Sequence, residues 1–87
     1  MLFTKATQID AQLCTTLLHS WENDNKSVPH QQFWCHNDSD NTYVVIDNIG
    51  GEFFVECFKN PEAAHAWLRG LGIAEAMELD RFLMKNV

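Results

Sequence analysis

TYVVIDNIGGEFFVECF, residues 42–58, is the stretch whose reading decides the fold. Two runs rich in β-branched and aromatic residues flank Asn48-Ile49-Gly50-Gly51, which predicts a β-hairpin. A turn at those four residues pairs Asp47 with Glu52, and antiparallel register then fixes every other pair. Ile46 faces Phe53, Val44 faces Val55 and Thr42 faces Cys57. That face is almost wholly apolar and reads as core. The opposite face pairs Val45 with Phe54 and Tyr43 with Glu56, sets Asp47 beside Glu52, and ends on Phe58. It mixes aromatic rings with carboxylates, as a contact surface does. The expectation is that the chain's own helices shield the first face and leave the second for a partner.

Working outward, residues 32–36 (QFWCH) predict a short strand. Residues 37–41 (NDSDN) predict a tight connection, because Asn, Asp and Ser bond their own backbone. The register of this strand leaves open whether Trp34 or Phe33 joins the contact face. Residues 7–21 read as a helix with an Ile9, Leu13, Leu17, Trp21 stripe. Thr7 is the expected N-cap, with Asp10 completing a capping box. Leu2 and Phe3 are expected to pack on its first turn. Residues 22–30 read as a loop, since Pro29 disfavours helix at Val28.

Residues 60–72 carry a helix start and stop. Asn60 caps, Pro61 suits the first helical position, and Gly70 or Gly72 ends the turn. Ala64, Trp67, Leu68 and Leu71 repeat at helical spacing. Residues 73–86 predict a third helix with a broad apolar face of Ile73, Ala76, Met77, Leu79, Phe82, Leu83 and Met84. The fold class is α+β, a three-stranded antiparallel meander with an N-terminal helix and two C-terminal helices (α-β-β-β-α-α), forming one small domain over residues 1–87.

The chain has 87 residues, a hydrophobic content of 46% and a net charge of −6. Twelve acidic against six basic side chains argue against a phosphate-backbone binder, which needs clustered Lys and Arg. The α-β-β-β-α order shares its outline with double-stranded RNA-binding domains, but Arg69, Arg81 and Lys85 are diluted by Glu62, Glu75, Glu78 and Asp80. No direct nucleic-acid contact is expected. The start lacks a signal-peptide core and no run is long enough to span a membrane. With an odd set of cysteines (Cys14, Cys35, Cys57), the expected setting is cytoplasmic with free thiols. The sequons at Asn25-Lys26-Ser27 and Asn37-Asp38-Ser39 carry no weight in that setting.

His30, Cys35, His36 and Cys57 lack the paired spacing of zinc ligands. Cys35 and His36 are neighbours in a strand and point to opposite faces, so they form no nucleophilic pair. DSDNTYVVIDN departs from a calcium loop at its fifth and sixth positions, Thr42 and Tyr43. Gly50-Gly51 joins two strands and opens no helix. No metal, cofactor or catalytic residue is expected.

FKNPEAAHAWLRGL, followed by a helix containing AEAM, resembles the C-terminal part of small phage anti-CRISPR proteins of the type I-F inhibitor class, over residues 58–77. Phe58, Glu62, Trp67, Gly70 and Leu71 carry the resemblance. It implies a virus- or mobile-element-encoded inhibitor that binds a nucleic-acid-processing complex. The opening helix departs from that pattern, and no binding residue carries over.

The expected function is therefore a small, acidic, non-catalytic protein–protein interaction module, of inhibitor or adaptor type. Its expected surface is Trp34, Tyr43, Val45, Asp47, Glu52, Phe54, Glu56 and Phe58, binding a protein partner or a second copy through the sheet. The alternative is a small-ligand domain with an apolar pocket between sheet and helices, lined by Trp21, Trp34 or Trp67.

Overall fold

The computed structural model describes residues 5–23 and 28–85. The elements are β1 (Thr7–Gln8), α1 (Ala11–Asn23), β2 (Gln32–Asn37), β3 (Thr42–Asp47), β4 (Phe54–Phe58), α2 (Pro61–Leu68) and α3 (Ile73–Lys85). The sheet has four strands in the order β1-β2-β3-β4, not three. β2, β3 and β4 form the expected antiparallel meander, and β1 adds a parallel pair, Thr7 with Phe33 and Gln8 with Trp34.

β1 also corrects the start of the first helix. Thr7 is in the sheet, and the Ile9 amide donates to the Trp34 carbonyl at 2.9 Å. Those amides are committed to β2, so α1 begins only after Asp10. The Asp10 carboxylate accepts the Leu13 amide at 2.7 Å and is the N-cap. Ile9 is buried as expected, but Cys14 is the buried position of α1 and Leu13 is exposed. The expected packing of Leu2 and Phe3 lies outside the described residues, as does the sequon at Asn25-Lys26-Ser27.

The hairpin pairs Tyr43 with Phe58, Val45 with Glu56 and Asp47 with Phe54, a two-residue slip from the expected register. An even slip keeps every side chain on its face. The slip lengthens the connection to residues 48–53. Asn48 leaves the ladder and is buried, donating through Nδ2 to the Pro29 carbonyl at 2.9 Å while its amide reaches the Gln31 carbonyl at 3.2 Å. Gly51, at φ 84°, supplies the left-handed position that closes this loop. Phe53 then stacks on Trp21, with ring centroids 5.1 Å apart.

Helices cover both faces of the sheet. α1 packs on Phe33, Cys35 and Ile46, with Leu17, Leu18 and Trp21 beside them. α2 packs on Val45 and Phe58 through Ala63, Ala64 and Leu68, and Ala76 of α3 closes the same cluster. Fully burying one such large apolar side chain stabilises by roughly 1.5–3 kcal/mol. Asn60 caps α2, its side-chain oxygen accepting the Glu62 amide at 2.8 Å. Gly70, at φ 113°, ends it, with the Leu71 amide bonding the Ala66 carbonyl and the Gly70 amide the Trp67 carbonyl, each at 3.0 Å. α3 packs mainly against α2. The Asp80 carboxylate pins it there by accepting the amides of Lys59 and Asn60, the latter at 2.7 Å. No helix is long and apolar enough to cross a membrane among the described residues.

Candidate interaction surfaces

The face expected to await a partner is largely occupied. Val45 and Phe58 are sealed beneath α2. Phe58 lies 6.4 Å from Trp67, centroid to centroid. Trp34 and Tyr43 are half-buried, 6.4 Å apart, and packed against the same cluster. Glu56 is half-buried at the edge strand β4. Val45 and Phe58 are thereby withdrawn from the expected docking face. α2 covers it because only Lys59 and Asn60 separate β4 from that helix, and the chain folds back on the side to which Phe58 points.

Three of the expected residues do come together, at the end of the sheet. Asp47, Glu52 and Phe54 line a groove with Gln32, Leu68 and Arg69. Phe54 is 54% exposed, although it shares a face with the buried Phe58 four residues on. α2 ends at Leu68, short of Phe54. Asp47 is held in place, accepting the Ile49 amide at 3.1 Å and the Gln32 side-chain amide at 3.3 Å.

A second surface lies on α3. Among the described residues, five of the eight large apolar side chains left exposed are Leu71, Ile73, Met77, Phe82 and Met84. At 100° per residue, Ile73, Met77 and Met84 fall within about 40° of one another on the helix. Ala76 faces α2, and Leu79 and Leu83 are half-buried. The sequence carried this signal. Eight apolar residues between positions 73 and 84 span a wider arc than one neighbouring helix covers.

Three thiols and one imidazole depart from their ordinary titration. Burial pushes the Cys35 thiol up to about 11, with the neighbouring Cys14 thiol adding to the shift. Burial also raises Cys14. Cys57 is exposed by solvent area, yet neighbouring atoms desolvate its thiol enough to raise it, and the carboxylates of Asp40 and Glu56 push the same way. His36 sits on the other face of β2 from Cys35. Its Nε2 meets the Asn41 side-chain oxygen at 2.8 Å and its Nδ1 meets the Asp38 carboxylate at 2.7 Å. Two acceptor oxygens are satisfied together only by the imidazolium, so its pKa is raised, first by Asn41 and then by Asp38. Among the described residues, no group of three or more His, Cys, Asp or Glu side chains is placed to hold a metal ion.

Comparison with protein-family models, with curated proteins and with solved structures returned no match.

Proposed function

We propose that this chain is a non-catalytic protein-binding module that self-associates through α3. The observation that carries the reading is the stripe of exposed apolar side chains Ile73, Met77 and Met84 along one side of α3, a helix that among the described residues packs mainly against α2. Exposed patches of this kind mark interaction sites, and methionine adapts well to a packing partner. The charge order of α3 favours a second copy. Glu75 and Glu78 lie in its first half and Arg81 and Lys85 in its second, where the Asp80 carboxylate is taken up by the Lys59 and Asn60 amides. A twofold antiparallel crossing sets the acidic half of each helix against the basic half of the other. A 13-residue helix pair buries less than the roughly 800 Å² per partner of a stable complex, so the association is weak and is sought from about 10 µM to 1 mM.

Sedimentation velocity across that range tests the reading. The wild-type chain shifts from its 10.0 kDa monomer toward a dimer as concentration rises. Met77→Glu remains monomeric with an unchanged far-UV spectrum. A dimer that persists in Met77→Glu puts the contact elsewhere. An inhibitor or adaptor role of mobile-element type is the version of this reading that the resemblance over residues 58–77 favours, with a dimer presenting two copies of the sheet-end groove.

A further inference from the structure

The groove at the end of the sheet continues into a second hollow. The first, of about 460 Å³, contains Asp47, Glu52 and Phe54. The second, of about 390 Å³, contains Lys5, Ala6 and His65. Gln32, Ile49, Leu68 and Arg69 line both and form their common wall. The cleft is thus polarised. Lys5 and the His65 ring stand at one end, the carboxylates of Asp47 and Glu52 stand at the other beside Phe54, and Arg69 lies between them with the apolar surface of Ile49 and Leu68.

This concentration of cations is unusual in a chain of net charge −6. Neither Lys5 nor Arg69 has a carboxylate within ion-pair distance among the described residues. The cationic end also adjoins the C-terminal end of α2, where open carbonyls would repel an anion. Those carbonyls are closed. His65 accepts from the Arg69 amide, Ala66 from Leu71 and Trp67 from Gly70. Leu68 accepts from the Gln32 side chain at 2.6 Å. The helix end is neutralised by the chain itself, and the two side-chain cations are left facing the cleft.

We infer that this cleft binds the free C-terminal end of a peptide. The terminal carboxylate lies between Lys5 and Arg69, where the guanidinium offers a two-pronged donor. The last side chain is apolar and rests on Ile49 and Leu68. A basic residue upstream meets Asp47 and Glu52 beside Phe54. This site uses none of the α3 residues assigned to self-association, so either can fail without the other.

Calorimetric titration with the N-acetylated tripeptide lysyl-alanyl-leucine tests the assignment, with its C-terminal amide and free leucine as the other probes. The free acid binds and the amide binds at least about tenfold more weakly, as expected for loss of a charge-assisted contact. Lys5→Ala and Arg69→Ala each lower affinity by a similar factor; both residues are exposed and do not bear on the core. Glu52→Gln weakens the lysyl peptide severalfold and leaves the alanyl-alanyl-leucine analogue unaffected. Equal binding of acid and amide, or no binding of the acid at millimolar concentration, overturns the inference. Free leucine binding as tightly as the tripeptide also overturns it, in favour of a small zwitterion.

Discussion

Phe54 and Phe58 lie on one face of one strand, yet the structure gives them different fates. Phe58 is 1% exposed under α2 and Phe54 is 54% exposed beyond its end. Truncating Phe58 to alanine removes a ring enclosed by Val45, Ala63, Ala64 and Leu68, with Trp67 alongside. Loss of transfer energy plus the residual cavity costs about 3–5 kcal/mol. An 87-residue chain has a total stability of roughly 4–13 kcal/mol at the usual per-residue value. Phe58→Ala therefore removes a large share of it. Phe58→Leu, a smaller change of shape, costs under about 1.5 kcal/mol and keeps the measurement within range if the alanine variant unfolds. Phe54→Ala loses about half of a full side-chain burial, on the order of 1 kcal/mol. Urea titration followed by tryptophan fluorescence reads all three. With a slope near 1–1.5 kcal/mol per molar, Phe58→Ala shifts the midpoint by about 2–5 M and Phe54→Ala by about 1 M or less. Equal shifts for Phe54→Ala and Phe58→Ala would refute the claim that α2 closes this face.

Two further outcomes follow from the ionisable groups. Hydrogen bonds to Asn41 and then Asp38 favour the protonated His36 ring, so its folded-state pKa lies above the ordinary 6.5. Its stabilising contribution is complete below pH 6.5 and is lost as pH rises through the higher folded-state value. Titrating the His36 ring protons by NMR shows that upward displacement in the wild type and a smaller one in Asn41→Ala; a displacement unchanged by that substitution contradicts the assignment. Cys14 and Cys35 are buried and Cys57 is exposed. A disulfide reagent at mild alkaline pH therefore modifies Cys57 alone in the native protein, more slowly than a free thiol because its pKa is raised. Rapid modification of all three thiols without denaturant would show that α1 does not seal Cys14 and Cys35 against the sheet.

The parts of this fold that rest on period were legible in the sequence. Alternation through residues 42–58 assigns each hairpin side chain to its observed face, and that assignment survives a register slip because the slip is even. The α2 boundaries follow from Asn60, Pro61 and Gly70, each of which acts on its own backbone. What failed depends on distant contacts. β1 has two residues and no periodicity, and it exists because the Trp34 carbonyl and its neighbours offer partners. Asn48 resembles a turn residue in the sequence, yet it is withdrawn to satisfy carbonyls of residues 28 and 29, which lengthens the loop and shifts the pairing.

The candidate surface divides the same way. Asp47, Glu52 and Phe54 meet because they flank one turn. Lys5, His65 and Arg69 join them only through the tertiary fold, and no pattern in the sequence links Lys5 to Arg69. The two-residue connection after Phe58 was the available sign that α2 would close over Val45. The apolar excess of residues 73–84 was the sign that exposed surface would reappear on α3.

Light scattering on the purified chain, at about 10 µM and again near 1 mM, addresses the central claim most directly. The account requires an average mass that climbs from 10.0 kDa toward double that value, and a flat profile once Met77 is replaced by glutamate. A mass fixed at 10.0 kDa throughout for the unmodified chain would contradict it.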